Sequence, residues 1–143
     1  METVNNNISL LLERIRHSWE TMAKDNAMWA IMTNKDKWEV DNFFTTGQDF
    51  INYLMSYFQL LNIAINYGDS LDFGCGIGRL TQPLAKCFER VVSVDISSEM
   101  ILHANKFNMY PEKVRYMQNT ENLPFPDQSF DYVQTHIVLQ HID

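Results

Sequence analysis

Three glycines at alternate positions, in Leu71-Asp72-Phe73-Gly74-Cys75-Gly76-Ile77-Gly78-Arg79-Leu80, separate a short apolar run from a segment with helical spacing. Glycine permits backbone angles closed to other residues and leaves bare backbone facing outward. Between a strand and a helix, such a loop brings its amides to a ligand at a helix N-terminus. A second run ends in Val94-Asp95-Ile96, which places a carboxylate twenty-one residues after Gly74. That is close to the roughly 20-residue spacing of an acceptor for ribose hydroxyls. The two features together point to a nucleotide-type cofactor.

They do not choose the cofactor. A dinucleotide fingerprint has its third small residue where Arg79 stands, and here the glycine comes one place early, at Gly78. A pyrophosphate is therefore disfavoured. No Gly-Lys-Ser/Thr follows, which excludes a P-loop. A ribosylated ligand without a pyrophosphate remains.

Around this loop the chain has two regimes. After Gly68, strand-sized runs at Leu71–Phe73, Val91–Val94, Val114–Met117 and Phe130–Val133 alternate with helix-length segments over 79–88 and 98–107. This alternation predicts a parallel, doubly wound α/β sheet. Before Gly68 the spacing is helical. Ile8, Leu11, Leu12, Ile15, Trp19 and Met22 form one stripe, and Asp25 is placed to cap a short second helix through Met32. Phe50, Ile51, Leu54, Met55, Phe58, Leu61 and Ile65 mark a third, with Gly68 expected in the left-handed position that closes it. Asn5-Asn6-Asn7 reads as a solvated terminus, and the last connection, carrying Pro124 and Pro126, as irregular.

The 143 residues amount to about one domain or part of one. Their 45% apolar and 20% charged content suffices for a core. Eleven basic against 18 acidic residues give a net charge of −7, which offers no long-range attraction to a phosphate backbone, so nucleic acid is not an expected partner. Polar residues interrupt the longest apolar stretch, so no membrane span is expected. Two cysteines and no secretory leader pattern make a cytoplasmic setting the expectation.

The strings LDFGCGIGRL, VSVDIS, ENLPFPDQSFDYV and VLQHI, in this order, resemble the successive motifs of class I S-adenosylmethionine-dependent methyltransferases. The resemblance is dense from Leu71 onward; the upstream segment with Trp19, Trp38, Phe43, Phe44 and Gly47 is similar to the helical extension of many such enzymes. It implies a Rossmann-like sheet and S-adenosylmethionine as cofactor, with S-adenosylhomocysteine as product. Residue by residue, it implies that Gly74, Cys75, Gly76 and Gly78 border the methionine and ribose portions, and that Asp72 helps hold the methionine ammonium. Asp95 would accept from the ribose hydroxyls, Ile96 would lie on the adenine face, and Thr120 would complete the adenine pocket. Asn119 stands where many members have an adenine-binding Asp; its amide carbonyl still accepts, without a formal charge.

Methyl transfer asks mainly for positioning, because the cofactor already activates the methyl group. The catalytic candidates are therefore few: His136 and His141, after the fourth strand, are the residues able to take a proton from an acceptor, and no metal is expected. His17 and His103 fall in helices and are expected at the surface. Trp19, Trp29, Trp38, Phe43 and Phe44 suit either core packing or a lid. Cys75 lacks an activating neighbour at readable spacing and is not expected to act as a nucleophile.

The segment Thr135-His136-Ile137-Val138 differs from the Asn/Asp-Pro-Pro-aromatic motif of enzymes that methylate nucleic-acid amines, and the two-glutamate loop of protein arginine methyltransferases is missing. A small-molecule acceptor is expected. The resembled fold has seven strands in the order 3-2-1-4-5-7-6, whereas about four are present here. The expected organisation is a helical cap over residues 1–68 and the first half of a cofactor-binding domain over 69–143. Its fourth strand would be an exposed edge, open to a second copy or a partner chain. The competing readings are a non-catalytic cofactor-binding or assembly module completed by a partner and, more remotely, a nicotinamide-dependent oxidoreductase.

Overall fold

The structure, a computed structural model, describes residues 2–141, with side chains from residue 7. Its elements are α1 (Glu2–Ile31), α2 (Val40–Leu60), β1 (Asp69–Phe73), α3 (Thr81–Cys87), β2 (Arg90–Asp95), α4 (Ser98–Phe107), β3 (Val114–Gln118) and β4 (Tyr132–Thr135), followed by a 3-10 turn over Leu139–His141. The strands form one sheet in the order β3-β2-β1-β4. All three pairings are parallel. This is the parallel, doubly wound sheet that the alternating pattern predicts and the Rossmann-like arrangement that the family resemblance implies, with a helical N-terminal region. Ile142 and Asp143, the last residues of the expected second unit and the end of VLQHI, lie outside the described residues.

Several boundaries differ from expectation for identifiable reasons. The Asn5-Asn6-Asn7 tract is helical, because α1 already begins at Glu2. The helix is interrupted at Asn26 (φ −158°, ψ 90°), whose Oδ1 accepts from the Trp29 amide at 3.1 Å. Asn26, rather than Asp25, is thus the cap that restarts the helix. The third helix begins at Val40, ten residues early, and ends at Leu60, so Ile65 lies beyond it. Gly68 does not close it. Asn62 takes the left-handed position (φ 53°), while the amides of Asn62 and Ile63 return to Gln59 and Phe58, a Schellman closure. The fourth strand runs two residues later than expected, because Asp131 is used to receive the chain: its carboxylate accepts from the Asp69 amide at 2.8 Å and from Asn66 at 2.7 Å.

Two apolar clusters hold these layers. One packs Ile51 and Met55 of α2 with Leu84 of α3, Phe88 just after it, and Val91, Val114 and Tyr116 of the sheet. The other joins Ala23 and Ala27 of α1 to Trp38, Phe43, Ile77 and Met100. Close approach of α2 to the glycine loop depends on Gly47, where a Cβ would fall 1.9 Å from the Arg79 carbonyl oxygen. The opposite margin is open: β4 has a neighbour on one side among the described residues, and Val133 on it is 58% exposed.

Candidate functional site

A cavity of about 540 Å³ lies where the four parallel strands end. Its floor comes from Asp72 and Phe73 at the end of β1 with Gly74 to Gly76 after it, Asp95 and Ile96 at the end of β2, Asn119 to Leu123 after β3 and His136 to Val138 after β4. Its roof is supplied by Leu12, Ile15, Trp19 and Ile31 of α1. Ligand cavities of roughly 300–1,000 Å³ are the usual size for a small molecule or cofactor.

The floor folds tightly because its backbone is anchored to β2. The amides of Gly74 and Cys75 both donate to the Val94 carbonyl, at 2.8 and 2.9 Å. All three loop glycines have positive φ, at 76°, 54° and 87°. Asp95 completes the anchoring: Oδ2 accepts from the Gly76 amide at 2.8 Å and Oδ1 from the Ser97 amide at 2.9 Å. Ser97 in turn caps α4 through its Oγ. Each Asp95 oxygen keeps acceptor capacity beyond these bonds. Burial pushes the Asp95 carboxyl up from its ordinary value, against the two amides that favour the charged form.

Asp72 is fully enclosed beneath the loop. Its oxygens accept from the Thr81 hydroxyl at 2.7 Å and the Gln134 amide at 3.0 Å. Burial raises its pKa, while those two bonds and the charge of Arg79 oppose the rise. Cys75 borders the cavity, yet burial and then the charges of Asp95 and Asp72 push its thiol well above the ordinary value. Such a thiol stays protonated and is a poor nucleophile.

Of the eleven residues singled out from the sequence, Asp72, Gly74, Cys75, Gly76, Asp95, Ile96, Asn119, Thr120, His136 and His141 border the cavity, and Gly78 does not. Gly78 faces the sheet instead: a Cβ there would meet the Tyr116 hydroxyl at 2.2 Å. Its small size serves the approach of α3 to β3. Asn119 is buried, with its backbone amide on the Asp95 carbonyl at 3.0 Å.

The aromatic candidates divide. Trp38 and Phe43 are core, Phe44 packs beside them against Phe107, and Trp29 is 40% exposed. Trp19 alone of the five borders the cavity, edge-on to His141 with ring centroids 5.2 Å apart. His17 is exposed and His103 half-buried, both away from the cavity lining.

The segment after β4 is bent. Ile137 adopts φ 59°, a left-handed conformation costly for a β-branched residue. The bend places Val138 against Gly74, where an added Cβ would sit 2.2 Å from its Cγ2. His136 rests on the Phe50 ring, centroids 4.5 Å apart. Burial and then the charge of Arg79 lower its pKa, so the ring is neutral at pH 7 and able to accept a proton.

Sequence reasoning named Trp19 as a lid candidate but missed its partners in the roof, Leu12, Ile15 and Ile31, and also Gln134, Val138 and Arg79. Arg79 had a signal: it breaks the dinucleotide pattern immediately after the glycines. The roof residues had only a helical stripe, which does not say whether the stripe covers a core or a cavity.

The sequence profile of a methyltransferase domain matches residues 71–143. An uncharacterized methyltransferase of Bacillus subtilis, YcgJ, is 35% identical over 74 residues, covering 50% of this chain and 29% of its own length. An uncharacterized methyltransferase of Schizosaccharomyces pombe is 24% identical over 113 residues, covering 79% of this chain and 36% of its own. Among solved structures, phosphoethanolamine N-methyltransferase 1 of Haemonchus contortus, in complex with phosphoethanolamine and S-adenosylhomocysteine, superposes with a TM-score of 0.70 over 93% of this chain and 27% of that one, at 19% identity. The last is a likeness of fold. The chain thus spans 29% and 36% of the lengths of the two curated relatives.

Proposed function

Because the chain belongs to the methyltransferase domain family, we propose that it is the cofactor-holding part of an S-adenosylmethionine-dependent methyltransferase that acts on a small molecule. One observation carries the reading: the glycine loop, Asp72 and Asp95 meet at the floor of one roofed cavity at the strands' carboxyl ends. The donor set fits the cofactor. Asp72 offers a carboxylate to an ammonium, and bare backbone at Gly74 and Gly76 lets the cofactor's methionine chain approach. Asp95 has spare acceptor capacity for ribose hydroxyls. Half-buried Ile96 with Asn119 and Thr120 suits a flat base with an exocyclic amine. In the organisation we favour, residues 1–68 form the cap and 69–143 the first half of the catalytic domain.

When bound, the cofactor supplies an electrophilic methyl group on sulfur, attacked in line by an acceptor lone pair. The chain's contribution is to bind, orient and exclude water. Leu12, Ile15, Trp19 and Ile31 give the roof its apolar surface. His136, neutral at pH 7, is placed to take a proton from an alcohol or amine acceptor; His141 is the second candidate. An acidic chain with a roofed, partly open cavity suits a small acceptor better than a polynucleotide. Among the described residues no helix is long and apolar enough to cross a membrane, and Cys75 and Cys87 are free, which suits a reducing cytoplasm. The open β4 edge suits cover by further sequence, a second copy or a partner chain.

Calorimetric titration with S-adenosylmethionine and S-adenosylhomocysteine, with NAD as control, tests this reading. Saturable binding of the first two alone is expected. Preference for NAD, or no binding by a folded chain, overturns it.

A further inference from the structure

Arg79 is 7% exposed and borders the cavity, yet its guanidinium is poorly partnered. Among the described residues its Nε has no hydrogen-bond partner, and its one side-chain bond is a long 3.4 Å contact from Nη1 to the Thr46 hydroxyl. Among the described residues it joins no ion pair; those present are Lys24–Glu99 and Arg90–Asp69. The nearby carboxylate of Asp72 is already engaged by Thr81 and Gln134. Arg79 is also the sole Lys or Arg in a lining that includes the acids Asp72, Asp95 and Glu121.

A buried charge is costly unless paired, and a guanidinium carries five donors in a rigid fork that matches a carboxylate or phosphate. In a chain of net charge −7, such a group in the wall of a cavity is best explained by a partner that arrives with the ligand. We propose that Arg79 is the anion receptor of this cavity, taking a carboxylate or phosphate group of the bound ligand on its guanidinium fork. Thr46 of α2 steadies the fork from one side. His136 feels its charge from the other, so the anion is seated beside the proton-accepting candidate.

This inference rests on the cofactor reading only for what else fills the cavity. Two ligands can bring the anion: the carboxylate at the amino-acid end of the cofactor, next to Asp72, or an anionic group on the methyl acceptor, toward Thr46 and His136. Wild type and Arg79→Gln are titrated with S-adenosylhomocysteine and with 5′-methylthioadenosine, which keeps the nucleoside and thioether but lacks the amino-acid end. Inorganic phosphate is then titrated into each, free and saturated with S-adenosylhomocysteine.

A loss of at least tenfold for S-adenosylhomocysteine, with methylthioadenosine changed by less than twofold, supports the proposal and assigns the anion to the cofactor. Unchanged binding of both nucleosides, with saturable phosphate binding in wild type that Arg79→Gln abolishes, supports it and assigns the anion to the acceptor. Equal weakening of both nucleosides, or no effect on any ligand, overturns it. Melting of the apo proteins checks folding. If Arg79→Gln does not fold, Arg79→Lys, which keeps the charge and loses the fork, is read by the same criteria. Should wild type bind no S-adenosylhomocysteine, the cofactor reading fails, and phosphate binding to the free protein still decides the role of Arg79.

Discussion

The floor of the cavity is a few loop residues whose amides are tied to Val94 and Asp95, whereas its roof is one helix resting on apolar side chains and three polar anchors, the Lys24–Glu99 ion pair among them. Those anchors reach across the chain: Glu20 accepts from the Ser98 amide and hydroxyl at 2.8 Å, and Ser9 bonds Glu121 beyond β3. The floor is specified by backbone geometry within about twenty residues. The roof is specified by contacts between residues some 80 to 110 positions apart. A floor of directed hydrogen bonds is intolerant of small changes, while an apolar roof gives way gradually.

The sharpest way to break this contrast is at Gly76. A side chain there would need φ 54° and would meet Ile31 Cδ1 at 2.6 Å, in the space between floor and roof. Gly76→Val is expected to lose S-adenosylmethionine binding by at least about 100-fold, more than 2.7 kcal/mol, while the sheet still melts cooperatively. Normal calorimetric affinity in that variant would mean the loop is misplaced. Next comes Asp95→Ala, which removes the acceptor for the Gly76 and Ser97 amides. A charged acceptor of this kind contributes about 1.5–3 kcal/mol, so affinity should fall about tenfold or more and the melting temperature should drop with it.

Asp72 sharpens the comparison through pH. Burial holds its folded pKa above the ordinary 3.8, so the native state holds the proton more tightly than the unfolded chain. Wild type therefore loses stability as pH rises from 3.8 through the folded value. Asp72→Asn is expected to be more stable than wild type at pH 7, with the gap closing as pH falls to 3.8, and to bind cofactor more weakly. Chemical denaturation across pH measures this, and an Asn variant less stable than wild type at pH 7 would contradict it.

Two smaller effects concern the flanks. Ile137→Gly relieves a left-handed β-branched residue that is 60% exposed, and should stabilise by about 1 kcal/mol in urea titration. Trp19→Ala trims the roof at a half-buried residue that packs against the second apolar cluster, so about threefold weaker cofactor binding together with a modestly lowered melting temperature is expected. A tenfold loss there would make the roof as exacting as the floor.

The sequence by itself determined the alternation of elements, the strand-loop-helix placement of Gly74 and Gly76, and the carboxylate at the end of β2. Each depends on short-range rules: side-chain period, the angles open to glycine, and the rise per residue that separates two strand ends. Even locally, close competitors decided boundaries, as Asn26 displaced Asp25 and Asn62 displaced Gly68 through hydrogen bonds that neighbouring residues could equally have made. Only the tertiary structure decided that Gly78 serves Tyr116 rather than the cavity, that Trp19 roofs the site while Trp38 and Phe43 fill the core, and that Arg79 is enclosed without an ion pair among the described residues. Such facts depend on which distant surface arrives opposite a residue. An apolar stripe or a lone arginine reads the same in sequence whether its neighbour is core, solvent or an open cavity.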